Sequence, residues 1–204
     1  MTRIFGTFFR AAALAGGCVA LSGCVSLGAE PPESLLTLSA SNNAEAGAMA
    51  SAGTENLQGA IAVLPIEAPA KLDVTRIPVA VSDTEIAYLQ DAFWVEKPAR
   101  LFRRLLGERL RASGQRLVVD TDDAPLLAAQ TLRGTLLDMG YDATSSSVIV
   151  RYDAVRTAED GTVTSRRFEA RESGVLAEPS SVGPALNRAA NTVAGDVAQW
   201  MTGG

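Results

Sequence analysis

The chain has 204 residues and not one histidine. That absence removes imidazole general bases, Ser-His-Asp and Cys-His nucleophilic chemistry, and every metal site that uses a histidine ligand. Cysteine is almost absent as well: Cys18 and Cys24 are the only two, both close to the N-terminus. No disulfide can therefore form downstream of them. Basic residues are in deficit, 18 against 23 acids, for a net charge of −5. A chain of that balance is repelled by phosphate backbones, so nucleic acid is not an expected partner. No run approaches the ~18 apolar residues that a membrane-spanning helix needs. The residue types left for demanding chemistry are few. The expectation is a protein without catalytic residues, cofactor or metal.

What is present begins at the N-terminus. Arg3 and Arg10 precede a short segment of small and apolar residues, 11–23, that ends in Leu21-Ser22-Gly23-Cys24. This is the form of a processed secretory leader followed by a lipobox. Small residues at Ser22 and Gly23 fit a narrow peptidase cleft, and a cysteine directly after them can carry a thioether-linked diacylglycerol. Cys18 is the poorer choice, because Ala15-Gly16-Gly17 has no branched apolar residue three places upstream. Cleavage between Gly23 and Cys24 is thus expected, with Cys24 lipidated. Two or three acyl chains of the palmitate type give durable attachment without a spanning helix. Removal of the leader takes Arg3 and Arg10 with it, leaving the mature chain more acidic still. Val25, where an aspartate would signal retention, favours outer-membrane delivery under the general sorting rule for lipoproteins of enteric-type bacteria.

Residues 39–59, SASNNAEAGAMASAGTENLQG, lack the apolar density to build a core and read as a flexible linker. The expected organisation is a signal peptide at 1–23, an acylated N-terminus and linker at 24–59, and one folded domain at 60–204. In that domain Ala60-Ile61-Ala62-Val63-Leu64-Pro65 reads as a buried strand, and 77–82 and 85–89 as two more around Ser82-Asp83. Pro98 opens a helix to about 113 in the favoured first-turn position. Its stripe is Leu101, Phe102, Leu105, Leu106 and Leu110, with Arg100, Arg103, Arg104, Glu108 and Arg111 facing away. A short strand at 117–119 follows, then a meander of 131–139, 147–157 and 162–172 turning at Asp160-Gly161. A final helix over 182–201 has a face rich in alanine. The order β-β-β-α-β-β-β-β-α predicts an α+β domain, a mostly antiparallel sheet with two helices packed on one face.

The acidic cluster Asp120-Thr121-Asp122-Asp123 lacks the glycine and glutamate of a helix-loop-helix calcium site, those positions holding Pro125 and Thr131. Nothing in the spacing brings Asp120, Asp153 or Glu169 together as an acid and base. The arginines of the first helix, Arg100, Arg103, Arg104, Arg109 and Arg111, are either a solvated face or a docking surface for an acidic partner or a lipid headgroup. In Ala92-Phe93-Trp94-Val95-Glu96-Lys97-Pro98, neighbouring aromatics in an extended chain point to opposite sides. One of Phe93 and Trp94 is then free to meet a partner, or Trp94 packs over the helix start as a hydrophobic staple.

Taken in order, the lipobox, Pro31-Pro32 with Leu35-Leu36-Thr37-Leu38, Ile61-Ala62-Val63-Leu64-Pro65-Ile66, Leu72-Asp73-Val74-Thr75-Arg76-Ile77, then Tyr88 and Phe93-Trp94-Val95-Glu96-Lys97-Pro98 resemble the ABC-type transport auxiliary lipoproteins, PqiC-like lipoproteins among them. The resemblance implies a partner instead of a reaction: an MCE-domain protein with its ABC permease and ATPase, moving lipids between the membranes. It also implies an outer-membrane, periplasm-facing location, with Tyr88, Phe93 and Trp94 as partner-contact residues and homo-oligomerisation left open. A structural or assembly lipoprotein of another envelope machine, such as a pilotin, is the alternative.

Overall fold

The computed structural model describes residues 34–51, 59–114, 116–120 and 128–203. Gly23, Cys24, Pro31-Pro32 and Asp122-Asp123 lie outside these residues. The uninterrupted apolar run at 60–63 is explained by burial on both sides. Strand β1 (Ile61–Val63) is wholly buried between β4 (Val118–Val119) and β5 (Gln130–Asp142), and runs parallel to both. A strand enclosed in this way needs no polar alternation. Beyond Pro65 the chain stays beside β5, with Leu64 and Glu67 donating to the carbonyls of Leu132 and Gly134 at 2.9 and 3.0 Å. One helical turn at Ala70–Leu72 leads into β2 (Arg76–Ala80), which folds back as β3 (Ile86–Phe93). The far end of β2 joins β5 in parallel, further along the same edge as β1.

After helix α1 (Pro98–Ala112) and β4 come the long strands β5, β6 (Ser147–Thr157) and β7 (Val163–Ser173), in two antiparallel ladders. Helix α2 (Pro179–Thr202) closes the chain. All nine elements occur in the expected order. The architecture is α+β with both helices on one face, while the sheet is mixed: its long ladders are antiparallel and its pairings around β1 and the tip of β2 are parallel. The helix-facing residues Leu132, Leu136, Met139, Val148, Val150, Tyr152, Ala154 and Phe168 are buried, and alternation sends their neighbours to the opposite face. A bulge between Leu136 and Asp138 shifts the phase of that alternation by one residue, so Leu132 and Leu136 before it and Met139 and Tyr141 after it share the buried face. On α2, Ala185, Ala189, Ala190 and Ala194 are buried side by side, so the helix lies close to the sheet and to α1.

Two sequence expectations are corrected. Arg103 does not face away from the domain: it is 6 % exposed, and its Nε donates to the Val63 carbonyl at 2.9 Å. The end of β1 leaves that acceptor inside the protein, and the arginine satisfies it. The folded unit also starts well before residue 60. Residues 36–41, expected as the end of the anchor segment and the start of the linker, are hydrogen-bonded to β3 and α2. Among the described residues no helix is long and apolar enough to cross a membrane.

Candidate functional site

The N-terminal segment builds a short extra strand on the edge of the sheet. Leu36 donates its N–H to the Phe93 carbonyl at 2.7 Å and accepts from the Val95 N–H at 2.8 Å, in parallel register with Trp94. On the other side of the same strand, Trp94 donates to the Thr75 carbonyl at 2.7 Å. Three chain segments, around 35–37, 93–95 and 74–76, are thus laid side by side. Trp94 and Leu36 point toward the helices. Trp94 is 1 % exposed, and Leu36 packs against Gly183 of α2, where an added Cβ would lie 2.8 Å from the leucine Cδ2. Alternation turns Leu35, Phe93 and Val95 to the opposite, outward face. Leu35 and Val95 are 50 % and 47 % exposed, and Val74 nearby is 36 % exposed. Tyr88 is half-buried on the same hairpin, with the Arg76 guanidinium 4.9 Å from its ring centroid.

Of the three aromatic residues singled out in the sequence, the structure therefore brings Tyr88 and Phe93 to the β2–β3 hairpin with partial exposure and encloses Trp94 in the core. Asp91 beside them takes φ of 53° within the irregular pairing opposite Ile77, where β3 carries more residues than β2. That bulge separates the regular part of the hairpin from the segment bonded to Leu36.

Beyond Leu36 the N-terminal chain is strapped along α2. Asn187 Oδ1 accepts from the Ser39 N–H at 2.9 Å, and Asn191 Oδ1 accepts from Ser41 at 2.7 Å. Asn191 Nδ2 returns a bond to the Ser39 carbonyl at 2.8 Å. The two asparagines stand four residues apart and so share one helix face. Ser51 later bridges to Arg116 in parallel. Asn187 and Asn191 escaped the sequence analysis, and the signal was available: two amides at helical spacing on a face otherwise made of alanine and leucine. Asn191→Ala is expected to leave two backbone groups of the strap, the Ser41 N–H and the Ser39 carbonyl, without these partners. Amide exchange at Ser39 and Ser41 should then accelerate by about 10-fold or more, equivalent to roughly 1.4 kcal/mol or more of local opening. Unchanged protection at both amides would show that Leu36 and Asn187 hold the segment without Asn191.

The outward sheet face carries ion pairs instead of a reaction centre. Asp138 pairs with Lys71 and with Arg151, and Arg151 also meets Glu169 at 2.6 Å. Asp153 accepts two bonds from Arg167, at 2.6 and 2.7 Å, which hold its carboxyl below the usual range. Asp142 is held well below that range by the Thr144 and Ser145 hydroxyls at the β5–β6 turn, with Arg171 adding to the effect. Asp120 pairs with Arg111 of α1. Asp153 and Glu169 stand diagonally across the β6–β7 ladder, each bonded to an arginine between them, while Asp120 pairs with α1. Asp153, held in the ionised form by Arg167, is a poor proton carrier near neutrality. Among the described residues no group of three carboxylates or thiols is placed to hold a metal ion. The arginines of α1 divide between roles: Arg104 binds Glu96, Arg109 reaches Ser41 of the strap, and Arg103 is internal.

Residues 37–198 match the family model described as the ABC-type transport auxiliary lipoprotein component. The chain belongs to this family. The family's name gives the coarse assignment: an auxiliary, envelope-associated lipoprotein component of an ABC-type transporter, and not a recognised class of enzyme. The fold is similar to that of protein XCC0632 from Xanthomonas campestris, with a TM-score of 0.67 and 16 % identity, covering 82 % of this chain and 93 % of that one. A second crystal structure, of an uncharacterized protein, aligns with a TM-score of 0.62 and 15 % identity over 76 % of this chain and 99 % of the other. At such identities the likeness concerns the fold alone. No curated protein matches the chain.

Proposed function

We propose that this protein is a non-enzymatic, membrane-tethered periplasmic component of an MCE-type ABC transport system, moving lipids or other apolar molecules between the inner and outer membranes. The observation that carries the reading is the family match over residues 37–198, which spans the α+β body up to the last turn of α2. The lipobox at Leu21-Ser22-Gly23-Cys24 supplies the tether, and Val25 favours the outer membrane as its location. A chain without histidine, whose candidate carboxylates are each neutralised by an arginine, suits contact and positioning better than turnover. The partner is then an MCE-domain protein projecting from an inner-membrane permease and ATPase.

In-cell crosslinking of the Cys24-intact protein, followed by identification of what is captured, tests this. Capture of an MCE-domain protein is the expected result. Capture of a secretin or a cell-wall protein in its place would overturn the transport reading in favour of a structural lipoprotein.

A further inference from the structure

Among the described residues no element covers the outward patch of Leu35, Phe93, Val95 and Val74, and its position relative to the anchor says what meets it. Leu35 belongs to the patch and is also the second described residue of the N-terminal strap. Only residues 25–33 separate Cys24 from that strap, ten residue steps from Cys24 to Ser34. Ten residues span at most about 36 Å even when fully extended. The patch is therefore the part of the domain nearest, along the chain, to the acylated residue. We infer that this patch rests on the lipid bilayer that holds Cys24. The inference rests on the lipoprotein reading of Cys24.

The physical case has three parts. A short tether presents the root of the domain to the membrane at an effective concentration in the millimolar range, so a contact too weak to act alone is occupied. The patch is apolar at its centre, with Leu35 and Val95 about half exposed, and has an amphipathic rim in Tyr88 and Arg76, whose ring and guanidinium are 4.9 Å apart. Apolar residues flanked by an aromatic and a basic side chain suit the boundary between acyl chains and headgroups. The net charge of −5 disfavours general electrostatic adhesion, which leaves apolar burial to provide the contact. The other exposed apolar residues sit elsewhere: Met49 in the N-terminal segment, Val81 and Ile86 at the turn of the β2–β3 hairpin, at the end opposite the patch, Val163 beside the β6–β7 turn, and Leu176 before α2.

The mature chain has no thiol other than Cys24, so single cysteines can be labelled in the lipidated protein. Val95→Cys and, as a control of similar exposure, Val163→Cys would each carry an environment-sensitive fluorophore. The proteins would be reconstituted at less than one copy per vesicle in phosphatidylethanolamine and phosphatidylcholine, with and without doxyl-labelled lipid. The expected result is a blue-shifted emission at position 95, with doxyl quenching several-fold stronger than at 163. Val74→Cys should behave as Val95→Cys, and covers the case in which one variant folds poorly. Equal, water-like emission at 74, 95 and 163 in protein that floats with the vesicles would overturn the patch while leaving the anchor intact. A blue shift that appears only at several copies per vesicle would assign the patch to a second copy and overturn lipid contact. Protein that fails to float, with Cys24 unmodified by mass spectrometry, would overturn the anchor and this inference together.

Discussion

Cys24→Ala is expected to move the protein from the membrane fraction to the soluble fraction almost completely. Each buried methylene of an acyl chain contributes about 0.8 kcal/mol, and one myristoyl-length chain alone gives a partition constant of only about 10⁴ M⁻¹. Two or three chains multiply such constants, so losing the attachment residue changes partitioning by several orders of magnitude. The outward patch of Leu35, Phe93, Val95 and Val74 cannot compensate, since in the absence of a tether it loses the local concentration that makes a weak contact count. The folded body should be unaffected, because residues 36–41 hold to β3 and α2 through bonds independent of Cys24. Membrane fractionation combined with a thermal melt of the released protein checks both halves. Retention of the alanine variant on membranes would mean that something other than acylation secures it.

Gly134→Ala is expected to cost about 3 kcal/mol, the upper part of the range for overpacking a well-filled core. An alanine Cβ there would overlap the Asp153 carbonyl of the adjoining strand and lie 2.7 Å from Tyr152 Oη and 2.8 Å from its Cζ. The carbonyl is backbone, locked into the β5–β6 ladder, so the clash is relieved only by shifting strands. For a protein of this length the melting temperature should fall by about 6–12 °C. Gly114→Ala, with open space around its Cβ position, is the matched control and should leave the melt nearly unchanged. Tyr152→Phe will not rescue Gly134→Ala, because the carbonyl remains in place. Alone, however, it removes a buried hydroxyl that has no hydrogen-bond partner, and should be neutral or stabilising near pH 7. Burial raises the Tyr152 pKa above its ordinary value of 10, so the folded state holds this proton more tightly than the unfolded state does. Its contribution is fully present below pH 10 and is lost as pH rises beyond it. Melts at pH 7 and above pH 10 should show less alkaline destabilisation in Tyr152→Phe than in the native chain.

Much of the fold was legible before the structure because its signals are local. The proline at 98 and the leucine stripe mark α1, Asp160-Gly161 marks the tight turn, and the alternating residues of 147–157 mark β6 to within its observed ends. Which strands lie beside β1 was not legible. Parallel pairing of Ile61 with Val118 and Gln130 joins residues far apart in sequence and leaves no periodic trace. Arg103 was misassigned for a related reason: its partner is a backbone carbonyl, invisible to any side-chain pattern. At the candidate site, the rule that adjacent aromatics diverge was sound, and it separates Phe93 from Trp94 as observed. The docking of 36–41 was hidden by its composition. Serine and alanine look like linker, and what holds them is their own backbone, gripped by two asparagines some 150 residues away.

That grip has a mechanical side. If the acyl anchor and the transporter pull on opposite ends of this domain, the load enters at Leu36, where two backbone bonds meet it, and passes next to the amides of Asn187 and Asn191. On the lipoprotein reading of Cys24, the leash between bilayer and domain is the short stretch 24–33 while those bonds hold. Once they part, the chain up to Ser51 is let out with no loss of the sheet or helices behind it, and the protein reaches further from its membrane. The strap thus works as a slip in the line, yielding length before structure.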